Sequence, residues 1–152
     1  MSGNVEKSRG EILAESLQGR WRVVYSELNG QMTPVEEFST IVLINTGNSF
    51  QVEKNGKVVD EGKFSIKVNE TPNEIVYVYS SGPEIFLGAP RLGVSQLVGN
   101  TFKTCLGAVG QAAPTEFSTS PDSESVLTIY QRAGAEGGTG FAVSKTKAVS
   151  QW

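Results

Sequence analysis

An all-β fold, an antiparallel up-and-down β-barrel of about eight strands behind one short N-terminal helix, is what the sequence predicts, on three observations. Short runs rich in β-branched and aromatic residues recur through residues 19–132, each spaced for one strand. The runs are separated by compact turn signals, Asn29-Gly30, Asn55-Gly56 and Gly99-Asn100 among them. Only residues 10–18 have the composition of a helix, and the 17 glycines stand singly, as turn markers do.

Residues 1–10 read as a polar arm. In residues 10–18, Ile12, Leu13 and Leu17 fall near one face, and Gly19 stands where a helix stop is expected. A helix here can plug one end of a barrel. The first strand follows in residues 17–28, and strict alternation puts Trp21, Val23, Tyr25 and Glu27 on one face against Arg22, Val24, Ser26 and Leu28. Pro34, Glu36 and Glu37 mark a polar connection. Residues 40–45, Thr-Ile-Val-Leu-Ile-Asn, are apolar enough to be covered on both faces. Strands are expected at 49–54 and 57–68, with Gly62 marking a bulge, and at 74–80. Residues 84–91 read either as an edge strand or as a loop at the barrel mouth, because Gly88 and Pro90 interrupt Ile85, Phe86 and Leu87. A hairpin pairs 92–98 with 101–106, a long Gly/Ala/Pro connection follows, and 125–132 closes the sheet. Residues 1–132 thus make one barrel domain, and 133–152 a flexible Gly-rich tail.

Composition excludes several functions. The net charge is −3, from 13 basic and 16 acidic residues, and no basic stripe exists to neutralise phosphates, so no nucleic-acid partner is expected. No apolar run approaches the roughly 20 residues of a membrane span, and no leader is evident, which gives a cytoplasmic reading. The single cysteine, Cys105, fits a reducing compartment. There are no histidines, so Ser-His-Asp and Cys-His catalysis and His-ligated metals drop out. No metal site and no cofactor are expected: Glu36-Glu37 and Asp60-Glu61 are adjacent pairs whose members point to opposite faces of a strand. The glycine-rich stretches 107–110 and 134–140 lack the Gly-Lys-Ser/Thr of a phosphate loop.

A larger pattern connects these runs. Leu17-Gln18-Gly19-x-Trp21, then Val58-Val59-Asp60-Glu61-Gly62-Lys63-Phe64, Gly99-Asn100-Thr101-Phe102 leading to Cys105, Pro114-Thr115-Glu116-Phe117, and a last strand ending in Arg132 resemble a bacterial lipocalin-like domain family abundant in planctomycetes. Gly19-x-Trp21 is also similar to the opening motif of lipocalins proper. That resemblance implies a structural pair at the closed base, Trp21 covered by Arg132, a cation–π contact of about 0.5–2 kcal/mol. The Thr-Asp-Tyr motif of lipocalins is missing, and Ala113 stands where the family commonly has an arginine. The resemblance therefore implies the barrel rather than a particular receptor.

Carried inward by the alternation from Trp21, the candidate ligand-binding residues are Tyr25, Glu27, Phe50, Tyr77, Tyr79 and Gln96. A barrel filled by its own side chains is the competing expectation. Glu27 is the one weak catalytic candidate: buried beside aromatics it is a general acid or base, and at the strand end it is a solvated rim carboxylate. Cys105 without histidine reads as a small buried hydrophobe. Three functions follow as expectations: binding of a small hydrophobic or aromatic molecule in the barrel; cofactor-independent isomerisation or cyclisation of such a molecule; or a protein-interaction module using residues 141–152.

Overall fold

The computed structural model describes residues 8–68 and 72–134. The tail from 135 onward, including the proposed partner-binding residues 141–152, lies outside the described residues. Helix α1 is Arg9–Ser16. Ser8 sets its start with a capping box: the Ser8 hydroxyl accepts from the Glu11 N–H at 3.1 Å, and the Glu11 carboxylate accepts from the Ser8 N–H at 2.8 Å. The chain then runs through β1 (Gly19–Leu28), β2 (Gln31–Met32), the single turn α2 (Val35–Phe38), β3 (Ile41–Thr46), β4 (Ser49–Lys54) and β5 (Lys57–Lys67). It continues with β6 (Asn73–Ser81), a 3-10 turn at Glu84–Phe86, β7 (Arg91–Val98), β8 (Thr101–Leu106) and β9 (Val126–Arg132). Every pairing is antiparallel, β1 pairs with both β3 and β9, and the sheet therefore closes as an eight-stranded barrel, with β2 a short addition to β1.

Closure gives the wall one inner face, and this corrects the expectation for residues 40–45. In β3 only Ile41, Leu43 and Asn45 are buried, while Val42 and Ile44 remain partly exposed, because nothing packs fully over the outside of that strand. The connection at 31–38 is also more ordered than its composition suggests. Pro34 leads into α2, whose Phe38 is buried in the main core.

Gly62 does sit at a register shift, between Glu61 and Gly62 against β6. A Cβ there would fall on the Val78 carbonyl oxygen and within 2.9 Å of the Phe50 ring, so the strand needs glycine to pass its neighbour. A second bulge was not legible. β1 slips against β9 between Val23 and Tyr25, so Val24 stands unpaired and the two-residue alternation inverts. Trp21 and Val23 face inward, and beyond the bulge it is Ser26 that is buried inside, opposite Thr128.

No helix among the described residues is long and apolar enough to cross a membrane.

Candidate functional site

The two ends of the barrel interior differ. At the base, Leu17 and Trp21 are fully buried, and the Trp21 Nε1–H donates to the Leu17 carbonyl at 2.9 Å. Asn45 donates to the same carbonyl at 2.9 Å. The Arg132 guanidinium lies over the Trp21 ring at 4.3 Å and donates to the carbonyls of Ser16 and Gln18, each at 2.8 Å. These are carbonyls that the end of α1 leaves without helical partners, so one cation both covers the ring and caps the helix. This end is filled, and the chemistry there is structural.

The other end is hollow. A cavity of about 280 Å³ is lined by Leu43, Phe50, Val52, Tyr77, Tyr79, Phe86, Leu106, Val126, Thr128 and Tyr130, with Asp60 and Arg91 among its walls. Phe50 is part of its wall, in edge contact with Tyr77 at 5.0 Å and with Tyr79 at 5.1 Å. Tyr79 in turn meets Phe86, at 4.9 Å, on the turn that borders the mouth. The stretch 84–91 is therefore a mouth loop up to Pro90, and β7 starts only at Arg91. Burial pushes the phenols of Tyr77 and Tyr130 upward, and Tyr79 likewise against the opposing pull of Arg91, so all three stay neutral hydrogen-bonding groups.

Three charged residues, Lys54, Asp60 and Arg91, line this apolar space, and the last two are buried. Arg91 is only 8% exposed. Its Nε donates to the Gly107 carbonyl at 2.9 Å, its Nη1 to the Tyr79 hydroxyl at 3.2 Å, and its guanidinium lies 4.9 Å from the centre of the Phe86 ring. Asp60 is 6% exposed, and its Oδ1 has no hydrogen-bond partner. Burial lifts the Asp60 carboxyl to about 6, with the charge of Arg91 pulling it partly back. Gly82, at φ +137°, holds the backbone against this carboxylate; a Cβ on it would stand 2.5 Å from Oδ1.

Of the residues expected inside, Phe50, Tyr77 and Tyr79 converge on this cavity. Tyr25, Glu27 and Gln96 do not. The Val24 bulge turns Tyr25 and Glu27 to the outer wall, where Tyr25, like Phe117 of the loop 107–125, packs against Val94, Cys105 and Leu127. Glu27 accepts from the Tyr25 hydroxyl at 2.7 Å and from the Thr119 hydroxyl at 2.5 Å, so it fastens that loop to the barrel. Burial and this carboxylate raise the Tyr25 phenol to about 12. Gln96 is exposed, because Arg91, Gly93 and Ser95 take the inward positions of β7. Cys105 is buried on the outer wall, its thiol raised by desolvation and directed at the Ser118 carbonyl at 3.5 Å. Glu27→Gln should therefore lower stability by about 1 kcal/mol in urea denaturation, through weaker, uncharged hydrogen bonds. It should leave binding inside the cavity unchanged.

Asp60, Arg91, Thr128 and Tyr130 were missing from the expected site. For Asp60 a signal exists, since alternation back from Phe64 and Ile66 places Gly62 and Asp60 on the inner face. Arg91 opens a strand whose next inner positions are Gly93 and Ser95, and nothing local marks it. Among the described residues no cluster of three or more His, Cys, Asp or Glu side chains is arranged to hold a metal ion. Comparison of the chain with protein-family models, with curated proteins and with solved structures returns no match.

Proposed function

We propose that this barrel binds one small hydrophobic or aromatic molecule in its upper half. The observation that carries the reading is the aromatic cavity itself, about 280 Å³ beneath the Glu84–Phe86 turn. A dry cavity of about 150 Å³ takes benzene, so this one suits a one- or two-ring body. Its walls offer ring faces and edges from Phe50, Tyr77, Tyr79 and Tyr130, with few polar groups to set orientation. Kinship with the lipocalin-like bacterial family belongs to the same proposal, supported by Gly19-x-Trp21 at the base and by Arg132 over the indole.

Titration with 2-naphthamide, a neutral two-ring probe, tests it by calorimetry. A dissociation constant of roughly 10–100 µM is expected for a ligand of this size. Leu106→Trp and Val126→Phe each add volume at the cavity wall, and either should weaken binding at least tenfold while far-ultraviolet circular dichroism keeps its β signature. Equal affinity in folded, filled variants would place the probe on the surface and end the reading.

A further inference from the structure

We propose that the cavity is a carboxylate site: its ligand is a small aromatic or apolar acid whose carboxylate is held by Arg91. The inference rests on the binding reading above and names its ligand class.

Arg91 brings a guanidinium cation into the cavity wall. It lines the cavity and is more than nine-tenths buried, yet the hydrogen bonds that hold it go to neutral acceptors, the Gly107 carbonyl and the Tyr79 hydroxyl. None of the ion pairs among the described residues includes it. A buried cation without a contacting anion is costly, and an anion brought into the same dry space recovers much of that cost. The guanidinium is also well placed to receive one. The Gly107 and Tyr79 bonds and the Phe86 ring fix its plane, so a ligand meets a donor that is already oriented.

Asp60 supplies the independent observation. Its Oδ1 is buried, cavity-facing and unpartnered. A second carboxylate beside an ionised Asp60 would be repelled, and the site relieves this by taking one proton from solvent onto Asp60. The protonated carboxyl then donates to the ligand's carboxylate. The carboxyl is prepared for this, since it already titrates at about 6. The titratable groups around it are Arg91 on β7, Tyr77 and Tyr79 on β6 and Tyr130 on β9, with Lys54 on β4 also among the cavity residues. The three phenols stay neutral, so Asp60 is the group that takes up the proton.

Calorimetry at pH 7 with three near-isosteric probes decides between ligand classes: 2-naphthoate, 2-naphthamide and 2-naphthylmethylamine. The acid should bind at least tenfold more tightly than the amide, and the amine more weakly than either. Repeating the acid titration in buffers of different ionisation enthalpy should show uptake approaching one proton per site, and Asp60→Asn should abolish that uptake. In Arg91→Met the preference for acid over amide should vanish. Because that variant also loses the Gly107 bond, Arg91→Lys serves beside it, and should retain part of the preference. Amide binding reports whether each variant keeps its cavity. A tighter amine, or an acid preference that survives Arg91→Met, would overturn the carboxylate site and leave the binding reading standing. Failure of all three probes to bind the native protein would remove both.

Discussion

Trp21→Ala should cost about 3–5 kcal/mol, the range for emptying a fully buried large aromatic. With total stabilities near 5–15 kcal/mol, that removes much of what holds a domain of this size. The loss is concentrated because several interactions end on one ring. The indole stacks obliquely on Phe102 at 5.7 Å and donates to the Leu17 carbonyl. It also forms the surface on which Arg132 rests while that residue caps α1. Trp21→Phe separates these contributions. It keeps an aromatic face under the guanidinium but loses the Nε1 bond and part of the volume, so a loss near 1–2 kcal/mol is expected. Urea denaturation followed by circular dichroism measures both. A Trp21→Ala loss below 1 kcal/mol would mean that the base of the barrel closes without the indole. If Trp21→Phe matched Trp21→Ala, the single hydrogen bond to Leu17 would outweigh the packing.

How far the sequence could be read depended on whether a strand kept its two-residue period. β4, β8 and β9 keep theirs, and their bounds and faces follow from alternating apolar residues and flanking turns. Phe50, Tyr77 and Tyr79 reach the cavity for the same reason: they lie on uninterrupted alternation. β1 does not keep it. One unpaired residue, Val24, reverses every face beyond it, and nothing in Trp-Arg-Val-Val-Tyr-Ser-Glu announces a bulge without a glycine. Tyr25 and Glu27 therefore look like site residues in the sequence and hold down a loop in the structure. The outer cover was hidden for a different physical reason. Phe117 reaches the wall of Val94, Cys105 and Leu127 through long-range packing of a connection with no period at all. Arg91 and Asp60 are the converse case. Isolated charges on strands read by default as solvated, and that default hides Arg91 altogether and masks the alternation that places Asp60 inward.

Asp60→Asn should make the protein more stable at neutral pH, by about 2 kcal/mol. In the folded chain burial raises this carboxyl from 3.8 to about 6. The folded state thus holds the proton more tightly than the unfolded state does. The native protein is then most stable, as far as this group is concerned, below about pH 4, where both states carry the proton. Stability falls as pH rises from there through 6, and is level above it. Asparagine has nearly the same shape and never ionises, so the variant should match the native protein near pH 4 and exceed it at pH 7.5. Urea denaturation at pH 4, 5, 6 and 7.5 gives the difference curve. A variant less stable than the native protein at pH 7.5 would mean that attraction to Arg91 outweighs the burial of the carboxylate. Stabilisation by a mutation inside a barrel has a direct implication. It would show that this carboxylate, with one oxygen unpartnered in the cavity wall, costs the fold free energy at neutral pH. The same carboxylate is the one that the proposed ligand would neutralise. Adding 2-naphthoate at pH 7.5 should therefore stabilise the native protein more than 2-naphthamide does, and Arg91→Met should reduce that gain to the level of the amide.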